Sequence, residues 1–103
     1  MGMKEVTVNE LKSDLGSVSV VDVRERDEFS MGHVAGAVHV PLAMVPIRMN
    51  ELDRSTTHYL ICQSGGRSAQ ACAFLEQQGY DVVNVIGGTG TWIDSGFPVE
   101  VGA

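Results

Sequence analysis

At 103 residues the chain has room for one domain spanning 1–103 and one core, because a second domain would have too few residues to enclose its own. Hydrophobic content of 44% against 19% charged residues argues against disorder, and a net charge of −6 with only seven Lys and Arg argues against nucleic acid as a partner. Cys62 and Cys72 form no Cys-x-x-Cys pair and no metal-ligand pattern, so both read as free thiols in a reducing compartment. No run approaches the roughly 20 apolar residues of a membrane span, Met1 to Val6 carry no apolar signal core, and the expected location is cytoplasmic.

Along the chain, Thr7-Val8-Asn9-Glu10 has the form of a capping box, which predicts a short helix through Leu11 and Leu15 that stops near Gly16. Val18 to Val23 is β-branched and almost continuously apolar, as suits a strand buried on both faces of a parallel sheet. Arg26 to Met31 predicts one or two helical turns, and Val38-His39-Val40 a short strand stopped by Pro41. Between Leu42 and Leu52 the apolar spacing predicts a helix that Pro46 confines, with a start near that residue. Thr57 to Ile61 is the next strand, Ser68 to Gln78 the most regular helix with Gly79 as its stop, and Asp81 to Ile86 another strand ending at Gly87-Gly88. Thr89 to Asp94 predicts a last short helix that anchors Trp92 in the core. Strands alternating with helices imply an α/β domain with a mostly parallel sheet, whose site forms beyond the carboxyl ends of the strands. Asp22 with Arg24, Cys62 with its loop, and Gly87-Gly88 would then meet on one rim.

The chemistry concentrates in Cys62-Gln63-Ser64-Gly65-Gly66-Arg67-Ser68, where a strand delivers a thiol into a short loop that opens a helix. Loop amides, the positive end of the helix dipole and the Arg67 charge favour a thiolate there. Such surroundings bring a thiol from about 8.5 to roughly 3.5–7.5. Gly65 and Gly66 suit an inward-facing amide ring that needs φ > 0 and leaves no space for side chains. Two roles are open to Arg67, anion ligand or structural ion-pair partner. Ser64 either hydrogen-bonds a bound sulfur or is solvated.

These residues resemble the rhodanese family of thiosulfate-type sulfurtransferases. Asp22-Val23-Arg24-Glu25 with Glu28-Phe29, Gly32-His33-Val34 with Gly36-Ala37 through Pro41, the Cys62 to Ser68 loop, and Gly87-Gly88 with Trp92 and Gly96-x-Pro98 match its motifs in order over nearly the whole chain. The resemblance implies a small doubly wound sheet with helices on both faces, and a cysteine, Cys62, that cycles through a persulfide. It implies no cofactor. The partners it implies are a small donor such as thiosulfate or a persulfide, a thiol or cyanide acceptor, and a sulfur-accepting protein. Gln63 lacks the positive charge that some family members carry in this loop, which weakens the expectation of a thiosulfate preference.

Plainer roles compete for several residues. Cys72 lies on the apolar side of its helix and reads as inert core. Asp22 and Arg24 read first as a salt bridge that orders the rim, and His33 as a hydrogen-bonded strut for the Asp22 region. His39 and His58 have no partner at ligand spacing. Cysteine phosphatases and arsenate reductases also use a cysteine, an amide-lined loop and an arginine, with one more residue between the two than the four found here, Gln63 to Gly66. A binding module of the same fold is the other alternative; such modules commonly lose the cysteine that this chain keeps.

Overall fold

The computed structural model describes residues 2–102, so Met1 of the N-terminal reading lies outside it. Strand β1 (Glu5–Val6) leads into helix α1 (Val8–Asp14), and the capping box forms as the sequence predicts. Thr7 Oγ1 accepts from the Glu10 amide at 3.2 Å, and Glu10 Oε1 accepts from the Thr7 amide at 2.8 Å. Strand β2 (Ser19–Asp22), helix α2 (Arg26–Met31), strands β3 (His33–Val34) and β4 (Val38–His39) and helix α3 (Val45–Arg48) follow. Pro46 sits in the first turn of α3, where its missing N–H is no loss. Single 3-10 turns over Leu42–Met44 and Met49–Glu51 flank this helix, so the predicted longer helix is broken into three pieces.

Strand β5 (His58–Ile61), helix α4 (Gly66–Gln77), strand β6 (Val82–Val85), helix α5 (Gly88–Asp94) and strand β7 (Val99–Glu100) complete the chain. The main sheet is wholly parallel with strand order β1-β6-β5-β2-β4, while β3 and β7 pair antiparallel apart from it. The two-residue strands β1, β3 and β7 are too short to leave a period in the sequence.

Each face of the sheet has its own core. On one, Val21, Val23, Leu60, Cys62 and Val82 pack with Val45, Leu52, Ala71, Cys72, Leu75 and Tyr80 from α3, α4 and their flanks. On the other, Val20, Ile61 and Val85 pack with Val8 and Leu11 of α1 and Trp92 of α5. Neighbours in one strand, such as Val20 and Val21 or Leu60 and Ile61, thus serve opposite cores, which explains the unbroken apolarity of the strands. Trp92 is fully buried, donates its indole N–H to Pro98 O at 2.8 Å and meets the Phe97 ring edge-on. Because β2, β5 and β6 run in parallel, Asp22, Cys62 and Gly87-Gly88 leave the sheet on the same side.

Candidate active site

Cys62 follows β5 directly, and the chain then turns through Gln63, Ser64 and Gly65 into α4. Gly65, the N-cap, donates its amide to the sulfur at 3.1 Å and has φ +120°, a conformation that a side chain would strain. Gly66 is different. It opens α4 without a positive φ, and a Cβ there would meet nothing within 4 Å; at Gly65 a Cβ would meet only Gly87 N at 4.0 Å, so the expected need for φ > 0 holds for Gly65 alone and the expected lack of space holds for neither.

The Ser68 hydroxyl lies 3.3 Å from Cys62 Sγ. Burial alone pushes the Cys62 thiol up, but the Ser68 hydroxyl and the amides of Ser68, Gly65 and Ser64 outweigh it and hold the group below the ordinary thiol value. The sulfur therefore faces inward-turned donors, as the loop sequence implies. Cys62 is itself covered, with 1% of its surface exposed, while Gln63, Ser64 and Gly66 around it are exposed.

A second helix end steadies the loop from behind. The amides of Thr89 and Gly90, in the first turn of α5, donate to Cys62 O at 2.8 Å and Gln63 O at 3.0 Å. This approach leaves no room at Gly88, where φ is +60° and a Cβ would stand 2.5 Å from both of those carbonyl oxygens. Gly88 is thus a requirement of the Cys62 loop, whereas a Cβ at Gly87 would meet Thr91 Oγ1 of α5 at 2.8 Å.

Of the two roles open to Arg67, the structure shows the ion pair. Its guanidinium grips both carboxylate oxygens of Glu28 at 2.7 and 2.8 Å, tying α4 to α2. The hydrogen bonds from Arg67 hold the Glu28 carboxyl down at about 2, and the same bonds raise Arg67 above its usual value. Arg67 thus ties the loop helix to α2, with one N–H of each terminal nitrogen on Glu28.

Asp22 and Arg24 form a buried ion pair, as expected, and Arg24 also reaches the loop. Arg24 donates to Asp22, to Gly32 O at 2.8 Å and to Gln63 Oε1 at 3.1 Å, so the Gln63 side chain is tethered across the rim. His33 is a hydrogen-bonded strut beside the Asp22 region, and its direct contact is with Phe29. Its Nδ1 donates to Phe29 O at 2.7 Å and its ring stacks on Phe29 at 3.6 Å, so it braces the end of α2 without touching Asp22. The link from that region to Asp22 runs instead through Gly32 O and Arg24.

Asn84 is the site residue the sequence reading missed. Within the valine run of β6 it gave no signal beyond being polar, yet it is buried and bonded to both Ser68 and Gly65. A groove of about 200 Å³ is lined by Leu42, Val45, Pro46, Gln70, Ala71 and Phe74, none of which belongs to the Cys62 to Ser68 loop.

The rhodanese-like domain family matches residues 7–95 of the chain. The chain belongs to the rhodanese family. A protein named sulfurtransferase from Allochromatium vinosum is 40% identical over 88 residues, covering 84% of this chain and 82% of that one. A Bacillus subtilis protein named "Putative sulfur carrier protein YrkF" is 42% identical over 77 residues, which are 74% of this chain but 42% of the relative. The crystal structure of a rhodanese-related protein from Thermoplasma volcanium superposes with a TM-score of 0.92 at 32% identity, covering 96% of this chain and 99% of that one. The α/β rhodanese fold, with its mostly parallel sheet, is therefore shared along nearly the full length.

Proposed function

We propose that this rhodanese-like protein is a sulfurtransferase in which Cys62 carries the transferred sulfur as a persulfide. The observation that carries the reading is the Cys62 sulfur held by the Gly65 amide at 3.1 Å and the Ser68 hydroxyl at 3.3 Å, with the thiol kept below its ordinary value. In the first half-reaction the thiolate attacks the outer sulfur of a donor. The donor's S–S or S–SO₃ bond breaks, and its electron pair leaves on a thiolate or on sulfite. In the second, a thiol or cyanide attacks the outer sulfur of Cys62–S–S⁻, the new S–S bond breaks, and the pair returns to Sγ. Loop amides offer preorganised donors for the negative sulfur in both halves.

Donor choice follows from charge. Arg67 is committed to Glu28, Arg24 to Asp22, and Gln63 is neutral, so the loop offers a dianion such as thiosulfate amides and little free positive charge. That favours a thiol persulfide as donor over thiosulfate. A relative named as a sulfur carrier supports a protein thiol as acceptor. Intact-mass measurement tests the reading: incubation with glutathione persulfide, and more slowly with thiosulfate, adds one sulfur atom to the protein, cyanide removes it, and Cys62→Ser never gains it. A protein that stays unmodified with every sulfane donor after reduction is not a sulfurtransferase.

A further inference from the structure

Asn84 lies on β6 with 3% of its surface exposed, on the face of the sheet that carries α4. A buried amide needs partners for both its ends. Its Nδ2 donates to Gly65 O at 3.3 Å, and its Oδ1 stands 2.6 Å from Ser68 Oγ. The reverse orientation would set Oδ1 against the Gly65 carbonyl oxygen, two acceptors facing each other, so the network fixes which end is which. Oδ1 is then an acceptor open to the Ser68 hydroxyl. Yet Ser68 has a single hydroxyl hydrogen, and three acceptors compete for it: Asn84 Oδ1 at 2.6 Å, Gly65 O at 3.2 Å and Cys62 Sγ at 3.3 Å. Gly65 O already accepts the Ala69 amide at 3.1 Å and Asn84 Nδ2, which leaves Oδ1 and the sulfur as the main rivals.

We propose that Asn84 is a positioning residue for Cys62: it is the alternative acceptor that takes the Ser68 hydroxyl whenever Sγ carries no negative charge and yields it when Sγ becomes a thiolate. As a thiol, Cys62 donates its own S–H to Ser68 Oγ, and Ser68 donates to Asn84. As a thiolate, Sγ draws the hydroxyl by a charge-assisted bond, and Asn84 Oδ1 gives it up. The consequence for turnover rests on the sulfur-transfer reading. In the persulfide the charge sits on the outer sulfur, so Sγ is neutral and Ser68 returns to Asn84. When an acceptor takes the outer sulfur, the electron pair lands on Sγ and the hydroxyl follows it, stabilising the departing thiolate. Asn84 thus makes the Ser68 donor respond to where the charge is, favouring the loaded and protonated states over the free thiolate.

The hydroxyl competition exists in the unloaded protein, so its test needs no sulfur donor. The pH dependence of Cys62 alkylation by iodoacetamide, located by peptide mass, is measured for the wild type, Asn84→Leu, Ser68→Ala and the double variant. The nearby ion pairs, Arg67 with Glu28 and Arg24 with Asp22, are common to all four and cancel. Asn84→Leu frees the hydroxyl for the sulfur and lowers the midpoint by about half to one pH unit, the worth of one neutral hydrogen bond. In the Ser68→Ala background the same change moves nothing. Asn84→Ala also removes the acceptor without adding a charge, so the same fall is expected of it, and it carries the test if the leucine variant does not fold. A midpoint that rises or stays put in both Asn84→Leu and Asn84→Ala, or that shifts equally with and without Ser68, overturns the proposal. A protein that accepts no sulfur yet shows this pattern refutes the transferase reading and leaves Asn84's role intact.

Discussion

Cys62 and Cys72 are ten residues apart, both are at most 1% exposed, and both belong to the core cluster beneath α4, yet their chemistry is opposite. Burial and the neighbouring negative charge of Glu76 push the Cys72 thiol up to about 12. Cys62 is pushed up by burial in the same way, and donors from Ser68, Gly65 and Ser64 reverse the sign. Depth therefore does not decide whether a cysteine is reactive. What sets the direction of the two thiols' shifts is whether the backbone around the sulfur turns its N–H groups inward, as it does where the chain leaves β5 for the N-terminus of α4.

The largest expected effect is the contrast itself. In native protein at pH 7, iodoacetamide modifies Cys62 more than about 100-fold faster than Cys72, because the thiolate fraction of a group at about 12 is minute. In urea the two rates converge. Equal rates in the folded state would mean that the loop donors do not act on the sulfur.

Gly88→Ala removes the distinction from the other side. A methyl 2.5 Å from Cys62 O and Gln63 O forces the loop off the first turn of α5. The expected cost is about 3 kcal/mol, combining left-handed strain with overpacking, read by chemical unfolding. The Cys62 alkylation midpoint rises toward that of an ordinary thiol, while Cys72 is unchanged. Gly66→Ala is the control, and leaves both thiols as they were because its Cβ meets nothing.

The smallest change sharpens the comparison by separating the clamp from the donors. Glu28→Gln breaks the hold on Arg67 and costs about 1 kcal/mol, since the pair is partly exposed and screened by solvent. The Glu28 carboxyl is lower folded, at about 2, than unfolded, near 4.3, so its contribution is full above about pH 5 and vanishes as pH falls toward 2. Urea unfolding of wild type and variant thus differs at pH 7 and converges at pH 2. The Cys62 alkylation midpoint moves by less than about 0.3 unit, because the donors on the sulfur belong to the loop and to Ser68. A large shift would restore Arg67 to the sulfur's own surroundings.

The sequence by itself determined the α/β class, the capping box at Thr7 and Glu10, the buried strands, and the thiol loop at a helix start, because each is written in neighbouring residues. Cys72 as core and the Asp22–Arg24 pair were legible for the same reason. Tertiary structure alone decided that Arg67 faces Glu28, 39 positions away, that His33 braces Phe29 instead of Asp22, and that Gly88 is shaped by carbonyls of the Cys62 loop. It alone brought Asn84 from a strand of valines to the Ser68 hydroxyl. A local pattern records which backbone a segment prefers, whereas the acceptors that compete for a single hydroxyl hydrogen are set by the packed sheet, and their distances exist only once the strands are side by side.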